Sequence, residues 1–349
     1  FKKQNMKKKN SLVQTKLKKN FFFINDDRIK GVYKTFKNCL FPHIKSKNFC
    51  IGVSGGPDSL ALAYLSSIYA KEFSCVIKVL IIDHGLRAES YNEAKKTKKI
   101  LEKIEINSKI LRWKGNVPKS NIQSIARKIR YKLLFKECKK LNINNLLLGH
   151  HFDDLVENFF IRLFRGSGLK GLSSFNIMTN FEENNFKLIR PLINLKKKDL
   201  IYLTNKIFKI FISDPSNFQS KYLRVRIRNY INYLKKDGLN FNKIKLTIKN
   251  LQNADQTLEF YYKIAKKKHI RFIDKNTFLI SRKLLEEGQE IIFRIVGDLI
   301  SKVGENYYSP RGKNIINLIE KMKSTQFKRV TLGGCILEKV NDSFLVKKE

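Results

Sequence analysis

Short apolar runs alternate with stretches of helical periodicity between Phe49 and Pro191. The apolar runs predict four strands, at Phe49–Val53, Val76–Asp83, around Lys109–Trp113 and at Asn145–Leu148. The stretches that follow them predict four helices, at Ser59–Ala70, Glu89–Ile104, Asn121–Leu141 and Asp153–Phe164. Repeated strand–helix–strand units predict an α/β fold with a mostly parallel sheet flanked by helices. Because ligands in such sheets bind beyond the carboxyl ends of the strands, functional residues are expected directly after each strand.

The pattern changes beyond about Asp237, where longer helical stretches predominate. Helices are predicted at Asn242–Lys268, Arg282–Val303 and Gly312–Met322, and a hairpin at Arg271–Ile280. Turn dipeptides at Gly333-Gly334 and Asn341-Asp342 predict a small closing β segment. We therefore predict three parts: a basic flexible arm at 1–25, an α/β domain at 26–236, and a mainly helical domain at 237–349.

The chain is strongly basic, with 71 Lys and Arg against 30 Asp and Glu among 349 residues, and a net charge of +41. Such an excess attracts polyanions and favours nucleic acid or an anionic membrane surface as a partner. An AT-rich genome, which inflates Lys, Asn, Ile and Phe together, is the alternative cause of this charge. No run of about 18 uncharged apolar residues occurs, which excludes an ordinary transmembrane helix. We therefore expect nucleic acid, and no membrane, as the partner.

The five cysteines lie far apart and form no C-x-x-C pair; they are Cys39, Cys50, Cys75, Cys138 and Cys335. This spacing suits neither a zinc site nor a disulfide framework. Free thiols in a reducing compartment are therefore predicted, and with them a cytoplasmic protein without zinc or an Fe–S cluster. The basic arm also lacks the apolar centre of a signal peptide.

One motif, Ser54-Gly55-Gly56-Pro57-Asp58-Ser59, follows the first strand and opens a helix. Two glycines allow the backbone to turn sharply and to approach a ligand closely, and Pro57 suits the first helical position. The free N–H groups and the helix dipole then make an anion site. The Walker pattern G-x-x-x-x-G-K-[ST] and the dinucleotide pattern G-x-G-x-x-G do not occur here. The motif predicts a phosphate loop, and an ordinary strand-to-helix turn is the alternative.

Two more polar clusters follow the second and fourth strands. The second strand ends in Asp83-His84-Gly85, for which a simple capped strand end is the alternative. After the fourth strand, Asp154 and Glu157 share a helix face, and Asp153 lies close to it. Clustered like charges favour a bound cation, either Mg²⁺ or a substrate ammonium. The spacing H-H-x-D-D is not a familiar tetrahedral zinc pattern, and an N-cap would explain only one of the three acids.

These motifs carry a resemblance to a known family. S-G-G-x-D-S after a strand is similar to the loop of the PP-loop ATP pyrophosphatases, which cleave ATP between its α and β phosphates. The run H-H-x-D-D-x-x-E that ends at Glu157 resembles the tRNA(Ile)-lysidine synthetases within that superfamily. Further segments similar to that family are Asn121-Ile122-Gln123, Arg162–Leu172, Arg190-Pro191-Leu192, Asp214–Asn217 and Arg224–Arg228. The resemblance covers about residues 48–232.

The resemblance implies a ligase that joins free L-lysine to C2 of the cytidine at wobble position 34 of tRNA(Ile) with anticodon CAU. ATP with Mg²⁺ would adenylate the cytidine, and lysine would then displace AMP. The tRNA would change from methionine to isoleucine specificity and decode AUA. A homodimer is left open. The mainly helical domain is expected to hold the body of the tRNA through salt-sensitive contacts.

The resemblance also implies roles for particular residues. ATP would bind at Ser54–Ser59, Asp83 and His84. The catalytic candidates are Asp58, which would also hold Mg²⁺, together with Asp154 and Glu157, which would bind the lysine ammonium. Contacts to tRNA or to the adenylated intermediate are expected from Arg127, Arg130, Arg165, Arg224 and Arg228. A helix C-cap is the alternative for the segment at Arg165, and a solvated face is the alternative for Arg224–Arg228.

Two other functions compete with this one. A tRNA thiolase that handles sulfur through a cysteine pair or an iron–sulfur cluster needs cysteines near its site, and the lack of C-x-x-C argues against it. An RNA-binding protein that keeps the fold without catalysis belongs to a different class. The intact Ser54–Ser59 motif, Asp83 and the pair Asp154 and Glu157 argue against that second alternative.

Overall fold

The computed structural model describes residues 25–86, 89–115, 122–181, 186–212, 223–274, 276–305 and 310–349. For residues 122–124 it describes the backbone alone. It divides into two compact units, residues 1–245 and residues 246–349. The predicted flexible arm at 1–25 lies outside the described residues except for its last one. That arm, and the domain boundary placed after residue 236, stay predictions.

The first unit is built on a six-stranded sheet. Its strands are β1 (Phe49–Val53), β2 (Ile77–Asp83), β3 (Ser108–Arg112), β4 (Asn145–Leu148), β5 (Met178–Phe181) and β6 (Phe186–Ile189). The order across the sheet is β3-β2-β1-β4-β6-β5, and only the β5–β6 pair is antiparallel. The predicted mostly parallel sheet is confirmed, and its four predicted strands agree with the observed ones to within one residue at each end.

Helices pack around this sheet. They are α1 (Asp27–Ile44), α2 (Pro57–Glu72), α3 (Ser90–Glu102), α4 (Ile122–Lys140), α5 (Phe152–Leu163), α6 (Leu169–Ser173), α7 (Lys197–Phe208) and α8 (Leu223–Lys236). Helix α2 is buried almost all round from Ser59 to Ala70, because it contacts β1 and β2 as well as α1 and α7. A helix that is apolar on every side is typical of a core position. The segment that leads into α2 therefore stands on a rigid base.

The strand order creates a crevice beside β1. The chain moves outward from β1 through β2 to β3 and then places β4 on the other side of β1. Ligands bind at such a reversal, beyond the carboxyl ends of the strands. Gly149, directly after β4, lies against the first turn of α2, since a Cβ added there would be 3.1 Å from the Asp58 carbonyl oxygen. The segments that follow β1 and β4 therefore meet at this crevice.

The second unit contains a five-stranded antiparallel sheet of order β7-β8-β11-β10-β9. Its strands are β7 (Ile270–Asp274), β8 (Thr277–Ser281), β9 (Arg329–Leu332), β10 (Cys335–Val340) and β11 (Ser343–Lys348). The helices are α9 (Phe241–His269), which begins in the first unit, α10 (Gln289–Val303) and α11 (Gly312–Lys323). None of the helices within the described ranges is long and apolar enough to cross a bilayer.

One predicted element of the second unit is wrong. The single helix expected at Arg282–Val303 is a 3₁₀ turn at Arg282–Glu286 followed by α10. Gly288 is extended, with φ −61° and ψ 141°, and it is the N-cap of α10. Glycine is a poor residue for a helix interior and an accepted one at an N-cap, so the helix begins anew there. The predicted hairpin is confirmed by the pairing of β7 with β8; its turn residue Lys275 lies outside the described residues.

Candidate active site

The phosphate loop, Ser54–Ser59, turns sharply between β1 and α2. Gly55 has a φ of 86°, and a Cβ there would lie 2.3 Å from Thr97 Oγ1, so the position requires glycine. Ser59 Oγ donates to the Gly56 carbonyl oxygen at 2.9 Å and closes the turn. Gly56 is the N-cap of α2, and no side chain of the described residues caps it. The N–H groups that begin α2 are therefore left to bind an anion.

Two hydrogen bonds hold this loop from a distant part of the chain. The Ile212 N–H donates to the Gly55 carbonyl oxygen at 2.9 Å. The fully buried Thr204, on α7, donates its Oγ1 proton to the Pro57 carbonyl oxygen at 2.9 Å. The conformation of the loop therefore depends on the packing of α7 as well as on its own glycines.

Asp58 lies in the first turn of α2, with its two carboxylate oxygens in different environments. Oδ2 is 3.5 Å from His151 Nε2 and 3.9 Å from Lys197 Nζ. Oδ1 is buried and has no hydrogen-bond partner within the described part of the chain. Mg²⁺ is commonly held by one or two carboxylates, and substrate phosphates supply further ligands. Asp58 fits that role, although the described ranges contain no group of three His, Cys, Asp or Glu side chains that could hold a metal ion by themselves.

His151 lies among the acidic side chains and is only 2% exposed. Its Nε2 is 3.5 Å from both Asp58 Oδ2 and Asp154 Oδ2, and its Nδ1 is 3.7 Å from Asp153 Oδ2. Burial lowers the pKa of His151, but the Asp154 and Asp58 carboxylates outweigh burial and raise it above the usual value. Sequence reasoning did not select this residue, although its place directly after β4 was a usable signal.

Asp154 keeps its negative charge in this cluster. Its Oδ2 accepts the His151 backbone N–H at 3.1 Å, and its Oδ1 lies 3.9 Å from Arg224 Nη2. Burial raises the pKa of Asp154, but His151, His150 and Arg224 outweigh burial and lower it to about 2. The neighbouring Asp153 has a different partner, since its Oδ2 accepts the Lys197 N–H at the start of α7, at 3.0 Å. Asp154 is thus the acid best placed to accept a cation.

Glu157 is buried and already paired with two arginines from α8. Its Oε1 and Oε2 accept hydrogen bonds from Arg228 Nε at 2.7 Å and Nη2 at 3.1 Å, and Arg224 Nε lies 3.2 Å from Oε2. The hydrogen bond to Glu157 is the main cause that raises the pKa of Arg228. Because the segment is helical, Arg224 and Arg228 share one face, whereas Arg226 is exposed on another.

A second group of polar side chains lies at the end of β2. Asp83 is 1% exposed; its Oδ1 accepts the Gly85 N–H at 3.0 Å and the Ser90 hydroxyl at 2.7 Å. His84 Nε2 lies 3.4 Å from Arg130 Nη2, and its buried Nδ1 has no hydrogen-bond partner within the described ranges. Burial, and then the charge of Arg130, lower the pKa of His84 to about 4, so the imidazole is neutral near pH 7. Arg112, which sequence reasoning missed, lies 3.2 Å from Asp83 Oδ2.

The remaining selected arginines lie outside these contacts. Arg127 donates to the Tyr131 hydroxyl at 3.0 Å. Arg165 is exposed in the turn after α5, where Gly166 has a φ of 65° and its N–H donates to the Leu163 carbonyl oxygen at 3.0 Å. Gly166 thus adopts the left-handed conformation that commonly follows the end of a helix. Contact of Arg127 or Arg165 with RNA stays a prediction.

Known proteins resemble this chain over most of its length. The family model that describes a PP-loop domain matches residues 27–234. The tRNA(Ile)-lysidine synthase of Orientia tsutsugamushi (strain Boryong) is 37% identical over 308 residues, which cover 84% of this chain and 68% of that protein. This chain belongs to the tRNA(Ile)-lysidine synthase family. A member from Rickettsia typhi (strain ATCC VR-144 / Wilmington) is 30% identical over 91% of this chain and 74% of its own length. Membership of this PP-loop family implies that the chain uses ATP.

A solved structure shares the fold of this lysidine synthase family member. It is the U34-tRNA thiolase NcsA from Methanococcus maripaludis with its [4Fe-4S] cluster, with a TM-score of 0.56 and 20% identity. The match covers 66% of this chain and 78% of the thiolase. At this identity the likeness shows the fold alone. All five cysteines of the present chain are free, and four of them are buried, namely Cys39, Cys50, Cys138 and Cys335.

Proposed function

We propose that this chain joins lysine to C2 of cytidine 34 in a tRNA(Ile) with anticodon CAU, converting ATP to AMP and diphosphate. Family membership supports this reaction. The main structural support is that the phosphate loop and the acidic cluster adjoin each other. Asp58 in the phosphate loop and Asp154 in the acidic cluster each have a carboxylate oxygen 3.5 Å from His151 Nε2. An adenylated base held at the first subsite would therefore meet an amine held at the second.

In the first step, the C2 oxygen of cytidine attacks the α-phosphorus of ATP, and diphosphate leaves. The N–H groups at the start of α2 and the Lys197 ammonium are suited to the negative charge of the departing diphosphate. Asp58, through its unpartnered Oδ1, would hold Mg²⁺, which would neutralise the phosphate oxygens. Asp83 and His84, at the end of the adjacent strand, are proposed to face the adenosine.

In the second step, the ε-amine of lysine attacks C2, the bond between C2 and its oxygen breaks, and AMP leaves with that oxygen. The ammonium must lose a proton before it attacks. We propose Asp154 as the main acceptor of the ammonium, because its carboxylate is anionic and its charged neighbours, His151 and Arg224, lie no closer than 3.5 Å and 3.9 Å. Glu157 contributes a second carboxylate, whose charge is largely offset by Arg224 and Arg228.

The tRNA partner accords with the net charge of +41, which attracts a polyanion. Residues 237–349 are proposed to hold the body of the tRNA through nonspecific contacts, and Arg127, Arg130 and Arg165 to contribute nearer the site. The cytoplasm is the proposed location, where the tRNA substrate is found. Neither chemical step requires a second copy of the chain, so the homodimer stays an open prediction.

The test is incorporation of radiolabelled lysine into a tRNA(Ile) transcript with anticodon CAU. Transfer is expected with ATP and Mg²⁺, and not without ATP or with tRNA(Met) as the acceptor. Asp154→Asn should reduce transfer by at least 100-fold, in line with the loss of about 3 kcal/mol of charge stabilisation. Asp27→Asn is the matched control, because Asp27 is almost fully exposed, and it should leave transfer unchanged.

Each other outcome has a distinct meaning. ATP-dependent modification of a different tRNA, without lysine transfer, would keep the ATP chemistry and reject the lysidine assignment. Binding of tRNA with no ATP-dependent product, and no effect of Asp58→Ala or Glu157→Ala, would favour a protein that has kept the fold without catalysis.

A further inference from the structure

Helix α8 has two faces with different surroundings. Arg224 and Arg228 face the acidic cluster, and Ile227 and Ile231 on the same side are buried. Successive residues of an α-helix are about 100° apart. The residues at positions 226, 230 and 233 therefore point to the opposite side, within an arc of about 60°.

That opposite side carries Arg226, Tyr230 and Tyr233, which we call the α8 stripe. Tyr230 is 61% exposed and Tyr233 is 66% exposed, and Arg226 is exposed as well. Burying a large apolar side chain stabilises a fold by about 1.5–3 kcal/mol, and these two rings forgo most of that gain, as Phe164 and Phe260 do elsewhere in the chain. Neither ring belongs to the hydrophobic core of the first unit, so each contributes little to the stability of the fold. The arrangement points to an external partner with flat, apolar surfaces.

The charge of α8 indicates what kind of partner this is. The helix carries Arg224, Arg226, Arg228, Lys235 and Lys236 and no Asp or Glu. A cationic helix with exposed aromatic rings is the arrangement on which unpaired bases stack while Arg and Lys meet the phosphates. The stripe spans about 10 Å along the helix axis, equal to about three base steps of 3.4 Å. Tyr and Arg are also frequent in protein–protein interfaces, but a helix with five basic residues and no acidic one favours a polyanion.

We propose that the α8 stripe is a stacking platform for unpaired bases of the RNA loop that contains the target cytidine. This inference rests on the proposed function, which places that loop at the acidic cluster. The opposite face of the same helix contacts Glu157, and a helix with its side chains is about 10–12 Å across, so the neighbours of a nucleotide that enters the crevice are within reach of the stripe. Stacking of those neighbours would splay the loop and present one cytidine to the site.

The test measures the affinity of the purified full chain for two RNAs without ATP or lysine: an anticodon stem-loop and a blunt duplex of the same stem sequence. Stacking on one aromatic ring is worth about 1–3 kcal/mol per base, and a tenfold change in affinity corresponds to about 1.4 kcal/mol. Y230A/Y233A should therefore weaken stem-loop binding by about 100-fold and leave duplex binding unchanged. Y230F/Y233F, which keeps both rings, should bind the stem-loop like the native chain.

Three results would overturn the proposal. Unchanged stem-loop affinity of Y230A/Y233A would assign the stripe to a different partner, such as a protein. Equal losses for the stem-loop and the duplex would show that the rings do not act on unpaired bases. Loss in Y230F/Y233F would assign the effect to the hydroxyl groups. Lysine transfer by the native chain is measured in parallel, so that failure of the proposed function is seen separately from failure of the platform.

Discussion

Replacement of Glu157 by glutamine tests the ion-pair cluster between α5 and α8 most directly. The change keeps the size of the side chain and removes its charge, so Arg228 loses a two-point hydrogen bond and Arg224 loses a contact at 3.2 Å. Breaking a fully buried pair costs about 3–5 kcal/mol. Here the arginine side chains are 32% and 43% exposed, and water can solvate them once the charge is gone. We therefore expect Glu157→Gln to lower the free energy of unfolding by about 2 kcal/mol.

The single tryptophan provides a selective probe for this measurement. Trp113 follows β3 in the first unit, so its fluorescence during urea unfolding reports that unit and not residues 246–349. A double-mutant cycle with Arg228→Met should give a coupling energy of about 1–2 kcal/mol, and one with Arg224→Met a smaller value, since Arg224 is more exposed and makes fewer contacts. Asp27→Asn removes an exposed charge at the start of α1 and should change the free energy of unfolding by less than about 0.5 kcal/mol. Additivity of Glu157→Gln and Arg228→Met within about 0.5 kcal/mol would refute the reasoning.

Further predictions concern the loop, the metal and pH. Gly55→Ala should abolish ATP-dependent lysine transfer in a folded protein, because its Cβ would clash with Thr97 Oγ1 at 2.3 Å and its φ of 86° strains alanine; retained transfer would contradict this. Asp58→Asn should raise the Mg²⁺ concentration that gives half-maximal transfer by about tenfold or more; a titration with unchanged midpoint would remove Asp58 as a ligand. His84 has a pKa lowered from 6.5 to about 4, so its neutral form stabilises the fold above pH 6.5 and this contribution is lost as pH falls towards 4. Urea unfolding at pH values from 6.5 down to about 4 should give a free energy of unfolding that declines as the pH falls. The decline with pH should be shallower for His84→Gln.

Much of the fold was predictable because the signals are local. A buried parallel strand is a continuous apolar run, and a flanking helix has its own period, so both can be found without knowledge of their partners. The glycines of the phosphate loop were likewise interpretable, since Gly55 requires a positive φ that few other residues adopt. Strands β5 and β6 and helices α1, α6, α7 and α8 were not predicted.

The pairing of the acidic cluster could not be predicted in the same way. Glu157 and Arg228 are 71 residues apart in sequence, and no local pattern shows that α8 packs on α5. Sequence reasoning assigned Arg224 and Arg228 to tRNA or to the intermediate, whereas the helix turns both towards Glu157 and places Arg226 on the other face. In the second unit, β8 pairs with β11 across a similar stretch of sequence, so the hairpin and the closing strands were predicted without their common sheet.

The hydrogen bond from Ile212 to Gly55 has a consequence for synthesis of the protein on the ribosome. The two residues are 157 positions apart, from 55 to 212, so the phosphate loop emerges long before the segment that fastens it. At about 5–20 residues per second, this interval lasts roughly 8–30 s. Until Thr204 and then Ile212 have been made, β1 and α2 lack these two hydrogen bonds to the loop. We therefore expect tight nucleotide binding only once nearly the whole first unit has been made.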